Sequence, residues 1–330
     1  MKLVVAADFH ISEDRRFQDT VNLLQYILEQ VSRIHPEHLV ILGDIFDKRK
    51  PTPREMQLLN KWLFSMRTGV VDRIILLEGN HDLDRDVSAL SYLHDLAIDK
   101  VQIVRPPYKL DRFYFDHLQL IGALADNGFA MSEGQSLASI VQKNPDCHTF
   151  AFGHLHKPQI LQERISKTTT ANDAIQPFAF YAGSLDKVTF SEAEDVKRLW
   201  VFNNATLEGT INLPTRPMYQ FNIAVTETES DISPWAALDL TGAMLKIVFS
   251  GTREALKGID SARLHTHLYA KGIFSLKVIL DITDKSAPRN EIINESVSEH
   301  AALEEYFKDH ADKANLVTHG LQIIKEIQNG

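Results

Sequence analysis

A single cysteine, Cys147, stands in a chain of 330 residues. It excludes an internal disulfide and any thiolate-rich zinc or iron–sulfur site, so a bound metal has to be held by His, Asp, Asn or Glu. Long apolar runs are also lacking. The amino-terminal "MKLVVAADFH" has only five apolar residues between Lys2 and Asp8, too few for a signal-peptide core, and no stretch reaches membrane-spanning length. The expectation is a cytoplasmic protein that does not engage a membrane. Positive charge is in deficit: 35 Lys and Arg against 44 Asp and Glu give a net charge of −9. That balance argues against a surface that attracts nucleic acid everywhere and leaves room for a local basic site or a basic partner.

What is present is an ordinary globular composition, 44% apolar and 24% charged, at a length that suits a large α/β domain plus one or two smaller units. "KLVVAADFH" reads as a strand, followed by a helix from Gln18 to Arg33 with Val21, Leu24, Leu28 and Val31 on its inner face. "HLVILGD" is a second strand. Thr52 as N-cap and Pro53 at the first turn open a second helix with Met56, Leu59, Leu63 and Met66 inward. "RIILLEGNHD" is a third strand and Val87 to Ala97 a short helix. This β-α-β-α-β order predicts a mainly parallel sheet covered by helices. Further strands are expected at Val101–Val104, Tyr108–Phe115, His117–Leu124, His148–Phe152, Phe178–Ala182 and Arg198–Phe202.

The informative feature is how these strands end. The first ends in Asp8 and His10, the second in Gly43 and Asp44, the third in Gly79, Asn80, His81 and Asp82, and a late one in Gly153, His154 and His156. The carboxyl ends of parallel strands form the ligand crevice of an open α/β sheet, so four polar clusters distant in sequence should meet there. His154 and His156 lie at i and i+2 and share a face if strand geometry carries through Gly153 and Leu155. Taken alone, they are equally a hydrogen-bonded pair or two metal ligands; the other three clusters favour ligands. Asp8, His10, His154 and His156 would then hold one cation and Asn80 another, with Asp44 bridging the two. Two such ions suit phosphate-ester hydrolysis, because they polarise the phosphoryl group and acidify a water for in-line attack. His81 would be the catalytic residue, protonating the leaving oxygen or stabilising the charge there. Imidazole, carboxylate and amide without thiolate fit manganese, iron or zinc.

"DFH", "GDIFDKRKP", "GNHD" and "GHLHKPQI" together resemble the ordered motifs of the calcineurin-like metallophosphoesterases. "GDIFDKRKP" and "YAGSLDKVTFSEA" are similar to one branch, the SbcD-type nuclease subunits of DNA repair complexes that pair with an SMC-like ATPase. The resemblance spans Asp8 to about Glu194. It implies an α/β fold: a metallophosphoesterase-type β-sandwich flanked by helices, with a small α/β capping domain and a C-terminal helical tail. It also implies manganese-dependent exo- and endonuclease action on double-strand ends and hairpins, two divalent ions of which Mn2+ is the expected choice, and a homodimer joined to an SbcC-type ATPase in a heterotetramer. The other functions in view are a phosphoesterase acting on small or protein-bound phosphate esters, and a scaffold subunit that binds DNA ends without cutting.

One departure stands out. The family supplies a further metal-binding histidine at a strand end between GNHD and GHxH, yet Leu118 to Cys147 contains none. His117, opening "HLQLIGAL", is placed by this reading at the wrong end of its strand, and His148 reads as a core histidine. The second ion is then weakly held, completed by water or ligated by another residue, or activity has been lost.

Arg15 and Arg16 after His10, and Lys48, Arg49 and Lys50 after Asp44, are expected to rim the crevice and meet DNA phosphates. His35, His38, His94, Trp62, Trp200 and Trp235 are assigned to packing or surface. "NLPTRPMYQ" marks a boundary near residue 213. The expected domains are 1–212 (nuclease), 213–284 (capping) and 285–330 (linker and tail). The capping unit is read with strands at Tyr219–Val225, Ala243–Phe249 and Ser275–Asp281 and helices at Ser233–Leu240 and Ala262–Lys271. "TDKSAPRNE" serves as linker. Helices from Ser298 to His310 and from Asp312 to Gln328 follow. The last carries Leu316, Val317, Leu321 and Ile324 as the expected ATPase-binding stripe, exposed in the isolated subunit.

Overall fold

The computed structural model describes all residues except 86, 96–99, 162–176, 226–234, 236–237, 284–298, 309–311 and 330. The strands are β1 (Lys2–Ala6), β2 (His38–Leu42), β3 (Arg73–Leu77), β4 (Leu83–Asp84), β5 (Val87–Ser88), β6 (Val101–Val104), β7 (Tyr108–Leu110), β8 (Phe113–His117), β9 (Thr149–Gly153), β10 (Gln159–Ile160), β11 (Phe178–Tyr181), β12 (Arg198–Asn203), β13 (Thr206–Asn212), β14 (Met218–Ala224), β15 (Met244–Gly251) and β16 (Ser275–Ile282). The helices are α1 (Phe17–Ile34), α2 (Pro53–Arg67), α3 (Tyr92–Asp95), α4 (Leu137–Lys143), α5 (Arg253–Leu256), α6 (Ser261–Ala270), α7 (Glu299–Tyr306) and α8 (Lys313–Asn329). Among the described residues no helix is long and apolar enough to cross a membrane.

Two sheets face each other. One runs β13-β12-β1-β2-β3-β6, with β1, β2, β3 and β6 parallel as the β-α-β order requires and β12 antiparallel to β1; the other runs β10-β11-β9-β8-β7. Alternation along each strand sends one set of side chains between the sheets and the other set outward. Leu3, Val5, Val40, Leu42, Ile75, Leu77 and Trp200 meet Phe113, Phe115, Ala151 and Phe180 in the inner core. Each fully buried phenylalanine there contributes about 1.5–3 kcal/mol. The outer face of the first sheet is covered by α1 and α2, and that of the second by Leu137 and Ile140 of α4. The result is the expected sandwich flanked by helices.

Local chemistry sets the helix ends. Thr52 accepts the Glu55 N–H while Glu55 reaches back to the Thr52 N–H, a capping box that starts α2 where Pro53 predicts it. On α1 the buried positions are Leu23, Leu24, Ile27 and Val31, with Leu28 half-buried against the same core, so the inner face is rotated toward Leu23 and Ile27 and away from Val21. The helix expected over Val87–Ala97 is largely replaced. Arg85, at φ 58°, turns the chain so that β4 and β5 pair, leaving one helical turn at α3; residues 96 and 97 lie outside the described set. The strands expected at Tyr108–Phe115 and His117–Leu124 are also redrawn. Asp111, at φ 52°, breaks the first into the hairpin β7–β8, and β8 ends at His117 instead of starting there. His148 is half-buried at the entry to β9, and the three tryptophans are buried as packing residues.

The chain divides into two units, Met1–Phe221 with Trp235–Lys246 and His265–Lys277, and Asn222–Pro234 with Ile247–Leu264 and Val278–Gly330. The strands of the three-stranded sheet β14-β15-β16 fall where the sequence predicts them. The helices read at Ser233–Leu240 and from Ser298, and the linker from residue 284, lie wholly or partly outside the described residues. In the second unit α8 packs back on α7: Leu303 lies 3.0 Å from where a Cβ would stand at Gly320. Val317 is buried, and Leu316, Leu321 and Ile324 are half-buried. The stripe expected to be exposed is therefore partly covered within the isolated chain, because a two-helix hairpin buries its facing apolar residues first.

Candidate metal centre

The inter-sheet core brings the carboxyl ends of β1, β2, β3, β8 and β9 to one edge. Parallel pairing of β8 with β9 sets His117 opposite Gly153, and glycines let the loops close. A Cβ on Gly79 would fall on the backbone nitrogen and carboxylate of Asp44, and one on Gly153 on the Leu42 carbonyl. Backbone strain collects here: Asp8, His10, Asp44 and His154 all have positive φ, at 49°, 45°, 48° and 90°.

The side chains form two knots that share Asp44. In one, His10 Nε2 lies 3.0 Å from His156 Nε2 and 4.0 Å from Asp44 Oδ2, with the fully buried Asp8 alongside. In the other, His117 Nε2 lies 3.3 Å from Asp44 Oδ2 and 3.1 Å from Asn80 Oδ1, and His154 Nδ1 lies 3.0 Å from that same Asn80 oxygen. His154 thus joins Asn80 rather than His10, contrary to the expected grouping. The reason is local: β9 stops at Gly153, and the positive φ of His154 ends the i, i+2 alternation.

His117 occupies the place that spacing alone left empty. Its Nδ1–H donates to the Leu42 carbonyl at 2.7 Å, so Nε2 faces two oxygens that only accept. Such a gathering of acceptors wants a positive charge, and it fits a divalent cation. In the protein alone the demand is met by a proton. Burial lowers the His117 pKa, but the bond to Asp44 and the charges of Asp8 and Asp44 outweigh it and raise it to about 9. Asp44 is held down to about 2: burial opposes ionisation, and His117 and the His81 N–H overcome it. Burial, with the charge of His117, lowers the His154 pKa, which suits a neutral ligand. Burial raises that of Asp8. A signal for His117 was available, since "FYFDH" is an apolar run ending in a polar pair like the other motif strands.

Asp47 was not anticipated, and Asp82, named among the strand-end residues, has no role assigned from sequence. The Asp47 carboxylate lies 3.5 Å from His10 Nδ1 and 3.1 Å from Arg15 Nη1, and its carbonyl accepts the His81 Nδ1–H at 2.7 Å. Asp82 is fully buried and accepts the N–H groups of Ile45, Phe46 and Gly79 at 3.0–3.1 Å, tying the Asp44 loop to the Asn80 loop. Behind His156 stand Asp126 and Glu192.

The basic residues separate into two kinds. Lys48, Arg49 and Lys50 are exposed, Lys48 pairing with Asp14 and Lys50 lying 3.8 Å from Asp84. Arg15 is half-exposed beside Asp47. Arg16 is committed inward, to Asp186 at 3.0 Å and to the Lys187 carbonyl, so it does not rim the crevice as expected.

Residues 1–164 match the model of the calcineurin-like phosphoesterases. This stretch is a calcineurin-like metallophosphoesterase domain. Among curated proteins the chain is similar to the DNA double-strand break repair protein Mre11 of Archaeoglobus fulgidus, 29% identical over 104 residues, which is 30% of this chain. The match spans 23% of that relative's length. Similar solved structures include the nuclease MPE of Pseudomonas putida (18% identity, TM-score 0.34, covering 62% of this chain and 86% of that one). Another is a dimetal phosphatase from Danio rerio (12% identity, TM-score 0.36, covering 64% and 98%).

Proposed function

We propose that this metallophosphoesterase is a DNA exo- and endonuclease with a dinuclear centre, the nuclease subunit of an SbcCD-like double-strand-break processing complex. The observation that carries the dinuclear reading is the place of Asp44 Oδ2, within reach of both His10 and His117. Asp8, His10, Asp44 and His156 would hold one divalent ion, and Asp44, Asn80, His117 and His154 the other. Manganese is the ion proposed for this imidazole, carboxylate and amide set. When bound, such a pair supplies Lewis-acid polarisation of the phosphodiester and activation of water.

The chain's own groups do the rest. His81, its ring Nδ1–H held by the Asp47 carbonyl and its backbone N–H by the Asp44 carboxylate, would in its doubly protonated form give the Nε2 proton to the leaving oxygen and return to the neutral Nδ1–H ring. Arg15, Lys48, Arg49 and Lys50 contact backbone phosphates without reading sequence. The similarity to a DNA double-strand break repair protein supports DNA as substrate; a homodimer, and an SbcC-type ATPase as partner for the α7–α8 hairpin, are proposed on the resemblance of "GDIFDKRKP" and "YAGSLDKVTFSEA" to the SbcD-type subunits.

The test is cleavage of linear duplex and hairpin DNA by the purified chain with Mn2+, beside a generic phosphate monoester. Manganese-dependent DNA cleavage, abolished by chelator and by Asp44→Ala, is expected. Chelator-resistant cleavage, or phosphate release from the monoester with no cutting of DNA, overturns the reading.

A further inference from the structure

The segment "YAGSLDKVTFSEA" carries part of the family resemblance yet holds none of the residues assigned to the centre. It closes behind His156. That ring turns Nε2 toward His10, so Nδ1 lies on its far edge, where two carboxylates meet it: Asp126 Oδ2 at 3.3 Å and Glu192 Oε1 at 3.6 Å. The two are built differently. Asp126 sits on the loop after β8 with its side chain 30% exposed, whereas Glu192 is fully buried.

Glu192 is fixed from every side. Its Oε1 accepts the N–H groups of Thr189 and Val188 at 2.9 and 3.2 Å, and its Oε2 accepts from Lys197 Nζ at 2.7 Å. Lys197 is itself fully buried, and its Nζ also donates to the His156 backbone carbonyl at 2.8 Å. One buried ion pair therefore bears on both ends of one residue: Glu192 sets its charge 3.6 Å from the ring Nδ1, and Lys197 donates to the main chain.

A buried pair of this kind adds little stability for the desolvation of two ions, and an apolar pair of similar volume would fill the space as well. Rigidity directed at His156 is what it does supply. We propose that Glu192 and Lys197 are positioning residues for the metal centre: the buried Glu192 charge beside the ring favours the proton on His156 Nδ1, and Lys197 holds its backbone, so that the Nε2 lone pair is aimed at the ion before the ion arrives. This rests on the dinuclear reading above and extends it to residues beyond the ligands.

The experiment uses the full chain and three variants: Glu192→Gln, the double change Glu192→Gln with Lys197→Met, and Asp126→Asn. Each is followed by thermal melting, by calorimetric titration with Mn2+, and by 15N chemical shifts of the His156 ring without metal. The double variant removes both charges at similar volume and is expected to melt close to wild type while binding one Mn2+ about 10–100-fold more weakly, the scale for losing an outer partner of a ligand. Its His156 ring should lose the Nδ1–H tautomer expected of wild type. Asp126→Asn should change affinity by no more than a few-fold.

A folded double variant with wild-type Mn2+ affinity overturns the proposal, as does a wild-type ring in the Nε2–H form, which can be read even if the variants fail to fold. A wild-type chain that binds no Mn2+ while His156 keeps the Nδ1–H form would instead count against the dinuclear reading itself.

Discussion

His117 Nε2 stands 3.3 Å from Asp44 Oδ2, joining the end of a strand in one sheet to the loop after a strand in the other. If that contact marks one of two ion sites, His117→Ala removes a ligand from that site alone. Bound Mn2+ measured by elemental analysis should fall from two ions toward one per chain. Activity should fall by more than the roughly 10–100-fold typical of an outer partner. Two tightly held ions in the variant would refute the assignment.

The pKa of His117 gives a pH signature. In the metal-free protein it rises from an ordinary 6.5 to about 9, so the stability it contributes is fully present below about 6.5 and is lost as pH rises through about 9. Melting temperature of the metal-free chain should decline across that window, and His117→Asn should flatten the decline. Mn2+ binding near pH 7.5 should release a proton, seen as a dependence of calorimetric heat on buffer ionisation enthalpy.

His81→Ala should leave Mn2+ content and DNA-end affinity nearly intact while turnover falls about 10²–10⁴-fold, the scale for a positioned proton donor. Loss of metal from this variant would make His81 a ligand.

Asp82→Asn replaces a pure acceptor with a group that sets an N–H against donors from Ile45, Phe46 and Gly79. Urea unfolding should show a loss of about 1–3 kcal/mol. A variant as stable as wild type would mean that the two loops hold their places without this brace.

Leu321→Glu with Ile324→Glu tests the tail. Because α8 packs on α7 around Gly320, these charges should accelerate hydrogen exchange in both helices of the isolated chain. Unchanged protection there, with loss of an ATPase partner in pull-down, would show instead that the stripe is kept for the partner.

Much of the centre was legible in local pattern. Asp8, His10, Asp44, Asn80 and His81 follow apolar runs of strand length, and the rule that parallel strands gather their carboxyl ends places such residues together before any coordinates are known. The helix cap at Thr52 was equally readable, because a capping box is complete within four residues. The register after residue 108 was not. A run of aromatic and β-branched residues has no internal mark for where one strand stops, and the break at Asp111 is a backbone turn that many sequences allow.

The sequence by itself determined the chemistry on offer: imidazole, carboxylate and amide without thiolate, delivered at the ends of strands whose apolar runs and intervening helices dictate a layered α/β fold. Those properties depend on residue type and short-range period. Tertiary structure alone decided the partnerships: His154 with Asn80 and His117, His156 between His10 and Glu192, Arg16 turned inward to Asp186. Each depends on where two separate sheets place their strand ends and how closely glycine lets the loops approach, and distances of about 3 Å between residues far apart in the chain leave no trace in local sequence pattern.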